Sequence, residues 1–342
     1  MTGQQSPPEI SIALRETKGL KNKSVLWENI ELPTDILLLT VNECEFLSCL
    51  SFLNSEFSKS YHKSLGFVFF GDIGEDDATK LKIALMKCSA GSTGPGGSTV
   101  VVQNAVAVLR PKAVISVGYC ASLIREKAKL GDVVVSAKLA TYAPVKVGEN
   151  GDIEELGHSV PPKKHLADLI KSVDDGWEAP LKKPGELVPT VFRDGVFLSG
   201  PEEVKSQQRC AQLKKRFPNA VAIEMEGERK CEVTQLKRFM IMFVVCCSLP
   251  NIQFSQRGGR AWLSLSRIIC SCLDIILITP SINCLTRLRQ ELNSRQTCII
   301  YKKPLCQGFP VLTSLFSSFC PTCFILRPLR CCTCSRHRVD YH

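Results

Sequence analysis

Apolar and polar positions alternate in blocks along the first two thirds of the chain. Residues 35–41 (DILLLTV) form a continuous apolar run, the pattern of a strand buried on both faces. Asn42 follows as a helix cap, and Glu43, Cys44, Glu45 and Phe46 open a helix. The run 66–70 (GFVFF) predicts a strand that turns at Gly71, and 81–88 (LKIALMKC) predicts another. Residues 99–110 read as a helix stopped by Pro111. Next come a buried strand over 113–118 (AVISVG), a small-residue loop over 119–122 (YCAS) and a strand over 131–136. Residues 145–185 are polar and hold Pro161, Pro162, Pro180 and Pro184, which predicts a connection with one helix near 164–171. Strands at 188–192 and 196–199 with a turn at Gly195, an amphipathic helix over 202–217 and a last strand running into Glu226 complete the series.

Strands that alternate with helices define an α/β domain around a parallel or mixed sheet. Ligands in such folds sit beyond the carboxyl ends of the strands. Four candidate sites fall there: Glu43 with Glu45, the loop 91–98, the segment 118–122, and the acids of 224–228 (EMEGE). Glu43 and Glu45 stand at the positive end of a helix dipole. The loop after residue 88 has four glycines within 91–97, which frees its backbone for close approach to a ligand. With the following helix it makes an anion or hydroxyl cradle around Ser92 and Gly94, or simply a tight strand–helix turn. A carboxylate at the end of 221–226 can accept both hydroxyls of a vicinal diol such as ribose, or merely cap a solvated strand end.

Charge and cysteine divide the 342-residue chain. The formal net charge is +10, but residues 231–342 hold 14 of the 43 basic and 4 of the 33 acidic side chains, leaving 29 of each in the first 230. That neutral body gives no electrostatic reason to bind nucleic acid. Five of the 18 cysteines (Cys44, Cys49, Cys88, Cys120, Cys210) precede residue 230 and 13 follow it. The scattered five suit reduced thiols in a cytoplasmic protein. Residues 1–33, polar with Pro7, Pro8 and Pro33, read as a flexible lead-in without an apolar signal core.

The run S-V-G-x-x-x-x-L at 116–123, L-G-D-V-V-V-S at 130–136 and A-I-E-M-E-G-E at 222–228 together resemble the nucleoside phosphorylase and nucleosidase family. That family includes the 5′-methylthioadenosine/S-adenosylhomocysteine nucleosidases. The resemblance spans about residues 34–228. It implies a three-layer α/β/α fold with a mixed central sheet, here incomplete at its C-terminal end. It also implies an oligomer that cleaves the N-glycosidic bond of a small-molecule nucleoside. By the family pattern Glu226 grips the ribose hydroxyls and supports oxocarbenium charge. Met225 packs on the ribose and Glu224 lies in the same motif; Gly118, and Ser92 and Gly94 of the glycine-rich loop read above, are the further candidates for lining the substrate. Glu45, with Glu43 second, matches the carboxylate that orients water. No cofactor is expected, with phosphate a co-substrate only in a phosphorylase. Arginine is absent from 40–51 and 91–98, which tilts the reading from phosphorolysis to hydrolysis.

Two departures stand out. Tyr119, Cys120 and Ser122 occupy a loop that is usually glycine-rich in the family. In addition, the strand and Asp-bearing loop that should follow residue 228 are not recognisable, and Asp274 lacks their surrounding pattern. Beyond residue 230 acids nearly vanish and cysteine rises, so 231–342 reads as something other than the evolved end of the domain, such as a shifted frame or an alternative splice product. Cys320, Cys323, Cys331 and Cys334, with His337 nearby, have zinc-like pairing but a spacing too short for a ribbon, and no metal is expected.

Overall fold

Leu37 and Leu38 are adjacent and both fully buried, yet they belong to different cores. In the computed structural model of the chain, Leu38 packs with Leu50, Leu85, Ile115 and Val117. Leu37 packs with Ala84, Val102, Leu109 and Val114. Successive side chains of a strand point to opposite faces, so a sheet carrying such a strand must be covered on both sides. The structure describes residues 9, 11, 13–16, 23–54, 56–74, 80–89, 98–124, 128, 131–136, 138–143, 145–150, 153–155, 159–161, 167, 170–171, 174–175, 177–183, 185, 188–202, 204, 206–225 and 239–247. The chain divides into two units, Met1–Thr297 and Cys298–His342, and every described residue lies in the first.

The strands are β1 (Lys23–Ser24), β2 (Ile36–Thr40), β3 (Ser58–His62), β4 (Gly66–Ile73), β5 (Leu81–Lys87), β6 (Ala113–Ser122), β7 (Val133–Val135) and β8 (Lys138–Thr141). They continue with β9 (Val145–Val147), β10 (Ile153–Glu155), β11 (Ser159–Val160), β12 (Val191–Phe192), β13 (Val196–Ser199), β14 (Ala220–Glu224) and β15 (Phe239–Cys247). Helices α1 (Glu43–Phe52), α2 (Ser98–Leu109) and α3 (Gln207–Arg216) accompany them. The main sheet runs β1-β3-β4-β5-β2-β6-β14-β13-β8-β11, with β15 joined to β6 and β7, and β12 joined to β7. β2 is parallel to β5 and β6, whereas β4 and β14 run antiparallel to their neighbours β5 and β6. The sheet is therefore mixed and helix-covered, as the alternating pattern and the family resemblance imply.

Several boundaries differ from the sequence reading. Gly71 does not turn the chain; β4 passes through it and pairs Gly71 with Ile83. A Cβ there would lie 3.2 Å from Leu53 Cδ1 and 3.3 Å from Phe57 Cβ, so glycine serves packing at the end of α1. Residues 119–122 are not a loop either. β6 continues to Ser122 because β14 and β15 both bond to its second half. Gly195 does not close a hairpin, since β12 pairs with β7 while β13 pairs with β8 and β14. The polar connection holds β9 and β10 as a two-stranded sheet and β11 against β8; the helix expected near 164–171 falls largely outside the described residues. Within the lead-in, β1 pairs with β3 and Trp27 packs on the α2-side core.

The largest difference lies beyond residue 230. β15 forms in the segment read as foreign to the domain. It runs parallel to β6 from Phe239 opposite Val114 to Cys247 opposite Ala121 and antiparallel to β7. Its unbroken apolar sequence FMIMFVVCC is what a strand bonded on both edges requires. A strand is therefore present in this segment, and the sheet extends through residue 247. The Cys320–Cys334 set lies outside the described residues.

Tyr142 is buried beneath Gly200, where a Cβ would meet its ring at 2.5 Å. Its hydroxyl donates to the Glu202 carbonyl at 3.3 Å, so the ring cannot swing away freely. Gly200→Ala is expected to destabilise the fold by about 1–3 kcal/mol through overpacking, read as a lower urea midpoint at an unchanged m-value.

Candidate active site

Helix α1 begins where β2 ends, and its first turn carries the site's best-defined acid. Asn42 is the cap and Glu45 the third helical residue. Glu45 Oε2 accepts hydrogen bonds from the Val41 and Asn42 N–H groups, both at 2.8 Å. Its Oε1 accepts from Asn42 Nδ2 at 3.1 Å and from the Tyr119 N–H at 3.4 Å. The last contact reaches across 74 residues to β6. All four contacts use the carboxylate as an acceptor, the role an ionised group fills. Glu45 is 3% exposed, whereas Glu43, two residues earlier, is exposed. The two candidates for the water-orienting acid thus occupy different environments, and Glu45 is joined to β6.

The other sequence-derived positions separate into two groups. Gly118 lies buried in β6, opposite Phe243 of β15. Glu224 ends β14, buried at 4% exposure, and Met225 beside it is half-buried. β14 pairs Ala222 with Ser122 and Ile223 with Ala121. Running antiparallel, it carries Glu224 and Met225 back toward Tyr119. Glu45, Gly118, Glu224 and Met225 are therefore drawn to one edge of the sheet. Glu226, Ser92 and Gly94 lie outside the described residues.

Two residues at this edge, Thr141 and Ser199, escaped the sequence reading; they are in register with Glu224 across β8, β13 and β14 and, like it, are buried. Their sequence signal is a polar residue closing an apolar strand, a weak cue without the pairing. Ser199 Oγ is buried without a hydrogen-bond partner, while the Glu224 carbonyl accepts from the Gly200 N–H at 3.2 Å. Behind this row, Arg209 clamps Glu202 with two bonds of 2.8 Å. The Tyr142 phenol is pushed up from its ordinary value, first by burial and then by Glu202. Asp132 of the L-G-D-V-V-V-S motif is fully buried, and its Oδ1 accepts from the Thr190 N–H at 2.8 Å. In this structure that Asp braces the chain entering β12.

The resemblance also calls for an acid in the loop after the strand that proved to be β15. Residues 248–255 read SLPNIQFS, and the first acid after Glu232 is Asp274. The strand is in place, but its following residues carry no carboxylate.

A mixed sheet covered by helices, with an acid at the start of the helix after β2 and a second acidic strand end beside it, defines a class of α/β enzyme-like folds. Comparison with known proteins is specific. The model of the Phosphorylase superfamily matches residues 62–258, and the chain belongs to that family. A 5′-methylthioadenosine/S-adenosylhomocysteine nucleosidase of Actinobacillus succinogenes is 26% identical over 201 residues, 58% of this chain and 79% of the relative. One from Haemophilus influenzae is 28% identical over 203 residues, 58% of this chain and 76% of the relative. Among solved structures, the nucleosidase of Neisseria meningitidis in complex with methylthio-immucillin-A superposes with TM-score 0.53 at 18% identity, covering 70% of this chain and 98% of the other. Futalosine hydrolase of Helicobacter pylori superposes with TM-score 0.53 at 19% identity, covering 76% and 98%. These likenesses establish the fold. The match to residue 258 agrees with the placement of β15 in the sheet.

Cys44 adjoins Glu45, and its thiol is raised from 9.0 to about 12, chiefly by burial and next by the Glu45 charge. The folded thiol therefore stays protonated at pH 8, and iodoacetamide with peptide mapping should label Cys44 only after unfolding. Between pH 9.0 and about 12 the unfolded thiol ionises while the folded one does not. The unfolded state binds fewer protons there, so this group's contribution to stability is lost as pH rises through that window.

Proposed function

We propose that the protein cleaves the N-glycosidic bond of a purine nucleoside by hydrolysis, as a nucleosidase of the 5′-methylthioadenosine/S-adenosylhomocysteine type. The observation that carries this reading is the buried Glu45 carboxylate, held at the exit of β2 and joined to β6 beside Tyr119. A fixed acceptor at that edge can orient a water toward the anomeric carbon, and its negative charge favours an oxocarbenium-like sugar. Glu226 is proposed to bind the ribose hydroxyls, with Met225 against the sugar and Glu224 supporting that strand end. Gly118, Ser92 and Gly94 are proposed to line the substrate. The nucleosidase relatives and the hydrolase among the structural neighbours support water as the nucleophile.

No cofactor is assigned to the reaction. The working form is proposed to be a cytoplasmic homo-oligomer. In support of that location, the cysteines at 44, 49, 88, 120 and 210 are free thiols. Among the described residues, no helix is long and apolar enough to cross a membrane.

A second reading has its own support. The acid-free stretch after β15 removes the group that would protonate the departing base, and loss of one acid–base group costs roughly 10²–10⁴ in rate. A nucleoside-binding protein with little turnover fits that absence.

Incubation with 5′-methylthioadenosine or inosine, with and without phosphate, separates the readings. Hydrolysis predicts base release that does not depend on phosphate. Phosphate-dependent ribose 1-phosphate would instead establish phosphorolysis, and binding without base release would establish the second reading. Glu45→Gln is expected to lower kcat about 10²–10⁴-fold, with KM changed far less.

A further inference from the structure

β6 is buried along nearly its whole length, from Ala113 to Ser122, with one exposed side chain in the middle. Tyr119 is 37% exposed, while Val117 and Cys120 are each at 2%. The pleat explains which way it faces. Ile115 and Val117 pack into the core beneath α1 together with Cys44 and Phe46. Tyr119, two residues further on, is on the same face, at the end of α1 that carries Glu45. Its backbone N–H contacts the Glu45 carboxylate. A half-exposed aromatic side chain therefore stands on the Glu45 side of this strand.

We propose that Tyr119 is a substrate-contacting, specificity-determining residue whose ring packs against the nucleoside next to Glu45. This inference rests on the reading of the site as a nucleoside site, but not on turnover. An aromatic face offers a large, stiff contact to a sugar or base at low entropic cost. It also removes volume that a glycine-rich loop would leave open. The consequence is a site that favours ligands able to lie flat on the ring.

The test uses the full chain and 5′-methylthioadenosine as the probe. Tyr119→Ala is expected to weaken binding about tenfold, as Kd by calorimetry and as KM if turnover is present. Tyr119→Phe, which keeps the ring, should bind within about threefold of the parent. In the unmodified protein, the nucleoside should protect Tyr119 from hydroxyl-radical footprinting and leave Tyr61, 60% exposed on β3, unprotected. Footprinting needs no variant, so a misfolded Tyr119→Ala would not obscure the result. Binding and protection without base release would sink the hydrolase reading while sustaining the role of Tyr119. An unprotected Tyr119 with unchanged Kd in Tyr119→Ala, or no nucleoside binding at all, would overturn it.

Discussion

A single buried carboxylate ties together the exit of β2, the first turn of α1 and the middle of β6. Glu45 accepts from the adjacent Val41 and Asn42 N–H groups and from Tyr119, which adds a side-chain link to the backbone pairing of β2 with β6. A buried N–H left without an acceptor costs roughly 1–3 kcal/mol, against a net stability of roughly 5–15 kcal/mol for a whole domain. The same oxygens that terminate the helix also present negative charge at the strand ends. Fold and chemistry therefore draw on one side chain, and the position tolerates few other residue types.

β6 is the other organising element. Its first half is parallel to β2, its length is parallel to β15, and its last residues meet β14 running the opposite way. That change of direction brings an acidic strand end and the Glu45 helix to the same edge, although they are nearly 180 residues apart in sequence. Its continuation through Tyr119 and Cys120 also turns a would-be loop into a rigid wall. A site built on a strand is held more firmly than one built on a flexible glycine loop.

Membership in the Phosphorylase superfamily and the presence of a complete chemical apparatus are separate matters. β15 adds a strand to the sheet, and its pairing extends to Cys247. Ser248, Leu249 and Pro250 follow it, and the next acid in the sequence is Asp274. A sheet can be completed by any sufficiently apolar segment of the right length, because backbone bonds and burial drive the pairing. A proton donor has no such substitute.

The sequence by itself determined the alternating α/β class, the helix that starts at Asn42, and the acids worth watching, because each depends on local periodicity, capping and residue chemistry. The split of Leu37 and Leu38 between two cores was likewise implicit in an all-apolar strand. The Asn42-x-x-Glu45 spacing is that of a capping box, which places Glu45 rather than Glu43 on the Val41 and Asn42 N–H groups, and only the tertiary structure decided that Tyr119 of β6 also reaches it. Only the tertiary structure moved Gly71 and residues 119–122 from turns into strands, and only it recruited 239–247 into the sheet. Those outcomes depend on partners remote in sequence, whose hydrogen bonds leave no mark on the segment that receives them.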